Sequence, residues 1–192
     1  MNAVPTQFRT VALYPQILGE AAWNELAGSI RSAHRVGDEK HGRFRVTHGR
    51  SRLARQSIRW SKLPRATDDA HVVLKIHAEE DRERWERHFD GDSFTTLQSA
   101  SGGRLVERFD CWELHFALSV LDRALVYEQC GARLCLGPMR LPVPLIFAPR
   151  VRASEKGDGP ARVTIHVTVT LPLVGLLIAY EGYLDVEEEL AS

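Results

Sequence analysis

The chain from Ala161 to Leu184 reads Ala-Arg-Val-Thr-Ile-His-Val-Thr-Val-Thr-Leu-Pro-Leu-Val-Gly-Leu-Leu-Ile-Ala-Tyr-Glu-Gly-Tyr-Leu. From Arg162 to Thr170, polar and apolar side chains alternate without a break, and a period of two places neighbours on opposite faces of a strand. Pro172 and Gly175 end this pattern, and Leu176 to Leu184 reads as a returning strand. The stretch therefore predicts an antiparallel hairpin with one face on a core and the other in water.

Strand patterns also fill the middle of the chain. The predicted strands there are Arg43–Thr47, Ala70–Ala78, Arg84–Phe89, Phe94–Gln98, Arg104–Phe109, Trp112–Val120 and Ala124–Gln129. Asp90-Gly91 and Gly102-Gly103 are hairpin signals, because glycine reaches positive φ without a steric clash, and Asp122-Arg123 is a weaker one. Most of the chain is therefore expected to form one antiparallel sheet.

Two helices are predicted before the main run of strands. Pro15 begins a helix that runs from Gln16 to about Arg35, and a second helix spans Ser51 to Leu63 with Ser51 as its N-cap. We expect an α+β protein with a strongly curved antiparallel sheet or partial β-barrel of about eight or nine strands, with both helices packed on it. The expected organisation is a single domain over residues 1–192, with an N-terminal arm (1–13), a core (14–184) and an acidic tail (185–192).

Composition narrows the function classes. The chain has 192 residues, 44% of them hydrophobic, which is enough for one full core. Twenty-five basic and twenty-five acidic residues cancel, so nucleic acid is an unlikely partner. Neither a signal peptide nor a spanning segment is recognisable, and the three cysteines form no disulfide pattern, so we expect a cytoplasmic protein. The eight histidines lack metal-ligand spacing, and no cofactor motif is present, so neither a metal nor a cofactor is expected.

The charges are nevertheless unevenly distributed. Between Arg31 and Arg65 there are eleven basic residues and two acidic ones, whereas the C-terminal tail is acidic. One interpretation is a basic face for an anionic membrane surface or a protein partner. The other is a solvated face that the acidic tail partly neutralises.

An apolar, proline-rich segment interrupts the strands between Gly137 and Pro149. Its four prolines remove backbone donors, which excludes a central strand, yet it also carries large apolar side chains such as Phe147. Such a connection either packs as a plug against the open end of the sheet or covers a ligand cavity as a lid. Both interpretations remain open.

Glu107 is the candidate catalytic residue. Two arginines share one face of the strand Arg104–Phe109, so Glu107 is expected to point inward between apolar neighbours. A buried carboxylate must pair with a cation, bind a ligand or stay protonated. Glu107 could therefore act as a general base or anchor a ligand's polar group. The alternative is a structural ion pair with Arg43, Arg45 or Arg50.

Ordered motifs along the chain carry a resemblance to a known family. They are Gly42–Arg50, Gly103–Phe109, Pro142–Arg150, Leu171–Gly175 and Tyr180–Leu184. From about Tyr14 to Leu184 the chain resembles the bacterial domain-of-unknown-function family 4166 (DUF4166). Members of that family occur alone or behind dehydrogenase- or epimerase-like modules. The resemblance implies a stand-alone member here, since no Gly-x-Gly-x-x-Gly motif is present, and it implies no activity.

These observations favour a module that binds an apolar or amphipathic small molecule, lipid-like or polyketide-like, in a cavity between sheet and helix. The candidate ligand-binding residues are Arg43, Arg45, Arg50, Glu107, Trp112, Phe116, Phe147 and Tyr180. One alternative is a small enzyme of the isomerase or cyclase type with Glu107 as acid/base. Another is a protein-partner or membrane-surface module that uses the Arg31–Arg65 basic face.

Overall fold

Ten antiparallel strands close into a barrel in the computed structural model, which describes residues 12–60 and 63–187. The helices are α1 (Leu13–Leu18), α2 (Glu20–Glu25), α3 (Gly28–Ala33) and α4 (Arg52–Trp60). The strands are β1 (Glu39–His48), β2 (Thr67–Glu79), β3 (Arg82–Phe89), β4 (Asp92–Ser101), β5 (Arg104–Phe109), β6 (Trp112–Leu121), β7 (Ala124–Leu136), β8 (Met139–Pro142), β9 (Arg150–Gly157), β10 (Arg162–Leu171) and β11 (Gly175–Asp185). The described part of the chain is therefore mostly β-structure.

The strand order follows the chain around the barrel. β1 to β7 are consecutive neighbours, β7 also pairs with β9, and β11 pairs back with β1. The eleventh strand, β8, lies outside the circle and pairs with β7. Closure pairs the backbone N–H and C=O groups that the edge strands of an open sheet would expose. The expected partial barrel of eight or nine strands is thus corrected to a closed barrel of ten.

The hairpin predictions are confirmed. β10 and β11 pair from Arg162 to Leu171, and both residues of the Asp90-Gly91, Gly102-Gly103 and Asp122-Arg123 turns have positive φ. Two strands were not predicted. β8 has four residues at an edge of the structure, and the inward side chains of β9 are Val151, Ala153 and Glu155, which do not form an apolar alternation. Because small and charged residues face inward on β9, its sequence lacks the apolar alternation that predicts a strand.

The single helix expected from Gln16 to about Arg35 is wrong, because the backbone turns twice within it. Gly19 has φ 80° and separates α1 from α2, and extended backbone at Leu26 and Ala27 separates α2 from α3. The three short helices cover one end of the barrel, where the Ala27 amide donates to the carbonyl of Arg123 in the β6–β7 turn at 3.2 Å. We call this the closed end.

α4 and the proline-rich segment lie at the opposite end, which we call the open end. The Ser51 hydroxyl accepts a hydrogen bond from the Ala54 amide at 3.0 Å and donates to the Val174 carbonyl at 3.1 Å, so the predicted N-cap is confirmed and also ties α4 to the β10–β11 turn. The predicted end of this helix, at Leu63, falls beyond a two-residue gap in the described range. None of the described helices is long and apolar enough to cross a bilayer.

Candidate functional site

A cavity of about 300 Å³ occupies the barrel interior. The inward faces of most strands line it with aromatic and aliphatic side chains, among them Phe89, Phe94, Trp112, Phe116 and Tyr180. The inward valines of β10, predicted to cover a core, line this cavity as well. The lining reaches Ser57, Leu63 and Asp110 at the open end, whereas Tyr14 of α1 closes the opposite end. The cavity is therefore concave and largely apolar, with few polar groups in its lining.

Arg87 is the cation of the cavity wall. Its guanidinium carbon lies 5.2 Å from the ring centroids of both Trp85 and Phe94, so aromatic faces hold the charge from two sides. Nη1 donates to the Thr96 hydroxyl at 3.0 Å, and Nη2 stands 3.9 Å from Glu107 Oε1. The Arg87 side chain is 14% exposed, and these contacts leave several of its five donors available to the cavity.

Glu107 lies on the cavity side of β5, the side that the alternation predicts. One carboxylate oxygen accepts a hydrogen bond from Gln98 Nε2 at 3.2 Å, and the ion pair with Arg87 is long. The side chain is 21% exposed. The expected structural partner among Arg43, Arg45 and Arg50 is wrong, because those side chains lie on the outer surface while Arg87 shares the interior with Glu107.

Two tyrosines extend the polar interior from Gln98 towards the closed end. The Tyr14 hydroxyl donates to Gln98 Oε1 at 2.9 Å, and the Tyr127 hydroxyl donates to Glu155 Oε1 at 2.7 Å. The two phenol oxygens are 3.2 Å apart, but with those donations made neither has a proton left for the other. Burial, followed by the nearby Glu155 charge, raises the pKa of both phenols well above the ordinary value, so both stay neutral.

His34 is the second partner of Glu155, at the closed end. Its Nε2 lies 2.8 Å from Glu155 Oε2, and its ring packs against Tyr14 with centroids 3.9 Å apart. Burial would raise the pKa of Glu155, but the charge and hydrogen bond of His34 and the hydrogen bond of Tyr127 hold it below its usual value. His34 Nδ1 is buried and has no hydrogen-bond partner among the described residues.

Four of the candidate ligand-binding residues come together in the cavity: Glu107, Trp112, Phe116 and Tyr180. The other four lie elsewhere. Arg43 pairs with Asp69 at 2.7 Å, Arg45 lies 3.6 Å from Glu181, and Arg50 is exposed. Phe147 is 68% exposed, so the proline-rich segment does not insert this ring into the barrel.

The basic segment Arg31–Arg65 does not form one surface. Arg31 and Arg35 belong to the closed end, Arg52 and Arg55 belong to α4 at the open end, and Lys40 is buried with Nζ donating to the Arg35 carbonyl. The acidic tail that was expected to neutralise the segment lies mostly outside the described residues, beyond residue 187.

Sequence reasoning missed most of the polar interior. Arg87 was predictable from the sequence, because a period of two places it between the inward residues Trp85 and Phe89 of one predicted strand. Tyr14 and His34 were not, because their partners Gln98 and Glu155 are 84 and 121 positions away. No local pattern signals such contacts.

Comparisons with known proteins identify the family but no activity. Residues 26–184 match the family model described as "Domain of unknown function (DUF4166)". No curated protein matches the chain. A solved structure of a protein with unknown function from the DUF3598 family of Nostoc punctiforme is 13% identical, with a TM-score of 0.48. That alignment covers 86% of this chain and 48% of the other, so this chain spans about half the length of that protein.

Proposed function

The chain belongs to the DUF4166 family, for which no function is described, and we propose that its barrel binds an apolar or amphipathic small molecule in the interior cavity. The observation that carries the proposal is the partly exposed, 3.9 Å pair of Arg87 and Glu107 inside a largely apolar cavity. A pair meant only for stability would be expected to make direct hydrogen bonds, since buried charges are costly without them.

The pair also defines the kind of polar group that fits. Arg87 offers hydrogen-bond donors and Glu107 offers acceptor lone pairs, so a group that both accepts and donates is complementary to the pair. Hydroxyl, amide and protonated carboxyl groups meet this requirement. The remaining ligand surface would be aliphatic or aromatic, and a volume of about 300 Å³ lies at the lower end of the range for small-molecule sites.

Native mass spectrometry of freshly purified protein tests this proposal, followed by thermal shifts with a series of fatty acids and fatty alcohols. Bound ligand is expected to raise the melting temperature through linkage. The variant Ala153→Leu fills the cavity from β9 and is expected to abolish the shift, whereas Ala161→Leu, on the exposed β9–β10 connection, is expected to preserve it. Equal thermal shifts for the two variants would show that the ligand does not bind in the cavity.

A second candidate function is acid/base catalysis on such a ligand, of the isomerase or cyclase type. Its support is the convergence of Glu107, Arg87 and Tyr180 on one cavity, where Glu107 would act as the base. Burial raises the pKa of Tyr180 to about 12, so this phenol would serve as a neutral hydrogen-bond donor. Glu107→Gln separates the two functions: a catalyst loses turnover with the ligand still bound, and a binding protein shows no turnover in either form.

A further inference from the structure

The hairpin formed by β7 and β8 has one apolar and one basic face. Leu136 pairs with Met139 and Leu134 with Leu141, so these four side chains share a face. Arg140 pairs with Cys135, and Arg133 with Pro142, which places both arginines on the opposite face. Leu134 also pairs with Trp112 of β6, whereas Leu136, Met139 and Leu141 are exposed.

The exposed apolar side chains of the molecule are concentrated in this region. Of the nine large apolar residues that are exposed in the described part of the chain, five lie between positions 136 and 147: Leu136, Met139, Leu141, Ile146 and Phe147. Patches of this kind on a soluble protein mark interaction sites. The following residues lead into β9 at the open end, where Pro149 lines the cavity.

The same region is strongly basic. Residues 129–154 contain four arginines and no aspartate or glutamate. Glu113 on β6 is 2% exposed and lies within 3.4 Å of Arg108, Arg133 and Arg140, so one carboxylate holds three guanidinium groups in place. These three arginines and Glu113 together therefore carry a net positive charge.

The other two of these four arginines, Arg150 and Arg152, extend the positive charge along β9. Arg150 and Arg152 are exposed and have no ion-pair partner among the described residues. Arg152 lies opposite Glu128 of β7 in the strand register, whereas Arg150 pairs with Thr170 of β10. Positive charge thus accompanies the exposed apolar residues on the side of the open end formed by β7, β8 and β9.

We propose that the β7–β8 hairpin and residues 143–152, together the docking face, bind the surface of a bilayer that contains anionic lipid. Exposed aliphatic and aromatic side chains enter the headgroup boundary, and Arg150 and Arg152 meet the lipid phosphates. The proposal does not depend on the cavity having a ligand. If the proposed binding function also holds, docking brings the cavity mouth to the lipid from which an amphipathic ligand is drawn.

Co-sedimentation of the full chain with vesicles tests the docking face. The probes are vesicles of phosphatidylcholine with phosphatidylglycerol, and vesicles of phosphatidylcholine alone. Ile146→Ser removes a side chain that is 62% exposed on the docking face, and Leu121→Ser removes one that is 64% exposed in the β6–β7 turn at the closed end. Arg150→Gln is matched by Arg123→Gln, whose arginine is exposed in that same turn.

We expect retention on the anionic vesicles at low salt and release at high salt. Ile146→Ser should weaken retention about tenfold and Arg150→Gln about fivefold, the factor that one arginine contributes near an anionic surface, with both closed-end variants unchanged. Equal behaviour on the two vesicle types overturns the proposal, as does equal loss in Ile146→Ser and Leu121→Ser. So does a dimer in lipid-free sedimentation that Ile146→Ser dissociates, because the face would then bind a second copy. Ligand binding is measured without vesicles, so none of these outcomes decides whether the cavity binds a ligand.

Discussion

Two glutamates that face the barrel interior have different surroundings: Glu155 lies towards the closed end, and Glu107 lies in the cavity wall. Glu155 is 7% exposed, with His34 at 2.8 Å and Tyr127 at 2.7 Å as direct partners. Glu107 keeps part of its surface open, and its cation stands 3.9 Å away. Because partners must replace the water that a buried charge loses, we expect the first arrangement to be needed for stability and the second to be available to the proposed ligand.

Glu155→Gln should have the largest effect, because it removes the charge that faces His34 at a buried site. We expect the free energy of unfolding to fall by about 3 kcal/mol, the lower end of the range for breaking a buried pair. Urea denaturation measures it. Glu128→Gln, an exposed position on β7, is the matched control and should change stability by less than about 0.5 kcal/mol.

The same contacts predict a loss of stability in acid. The pKa of Glu155 is lowered on folding from an ordinary value of 4.5, so its contribution is present above pH 4.5 and is lost as the pH falls through the lower, folded value. In Glu155→Gln the stability should therefore depend less on pH below 4.5. An unchanged acid profile in the variant would contradict the role given to the His34–Glu155 pair.

Substituting Lys40 at the closed end should have the opposite effect on stability to Glu155→Gln, although stability rises with pH in both cases. Burial lowers its pKa from 10.5 to about 8, so the unfolded chain binds a proton more readily than the folded chain does between these values. Stability should therefore rise as the pH increases from 8 towards 10.5. Lys40→Met keeps an unbranched stem and removes this cost, so we expect a gain of about 2 kcal/mol at pH 7.

Lys156→Met, at an exposed position on β9, is the control for Lys40→Met. It should change neither the stability at pH 7 nor its rise above pH 8. A destabilised Lys40→Met would mean that the hydrogen bond from Nζ to the Arg35 carbonyl matters more than desolvation of the ammonium group.

The contrast between Glu107 and Glu155 also explains how much of the barrel interior could be predicted from the sequence. Glu107 was found from its strand, because alternation within six residues decides which way it points. Glu155 was missed with the whole of β9, because Val151, Ala153 and Glu155 do not read as an apolar face. Its partner His34 comes from a helical segment 121 positions earlier, and only the closure of the barrel and the packing of α1–α3 bring the two together.

Glu107→Gln should have the smallest effect on stability, and this is the sharpest test of the comparison. Arg87 keeps its hydrogen bond to Thr96 and its place between two aromatic rings when the carboxylate is removed, so no cation is left without contacts. We expect a change of about 1 kcal/mol or less in urea denaturation, against about 3 kcal/mol for Glu155→Gln. Binding of a fatty alcohol should weaken, because an amide is a poorer acceptor than a carboxylate for the ligand hydroxyl. If Glu107→Gln instead destabilised the protein as much as Glu155→Gln, the 3.9 Å pair would be a structural element, and the cavity would lose its distinctive polar site.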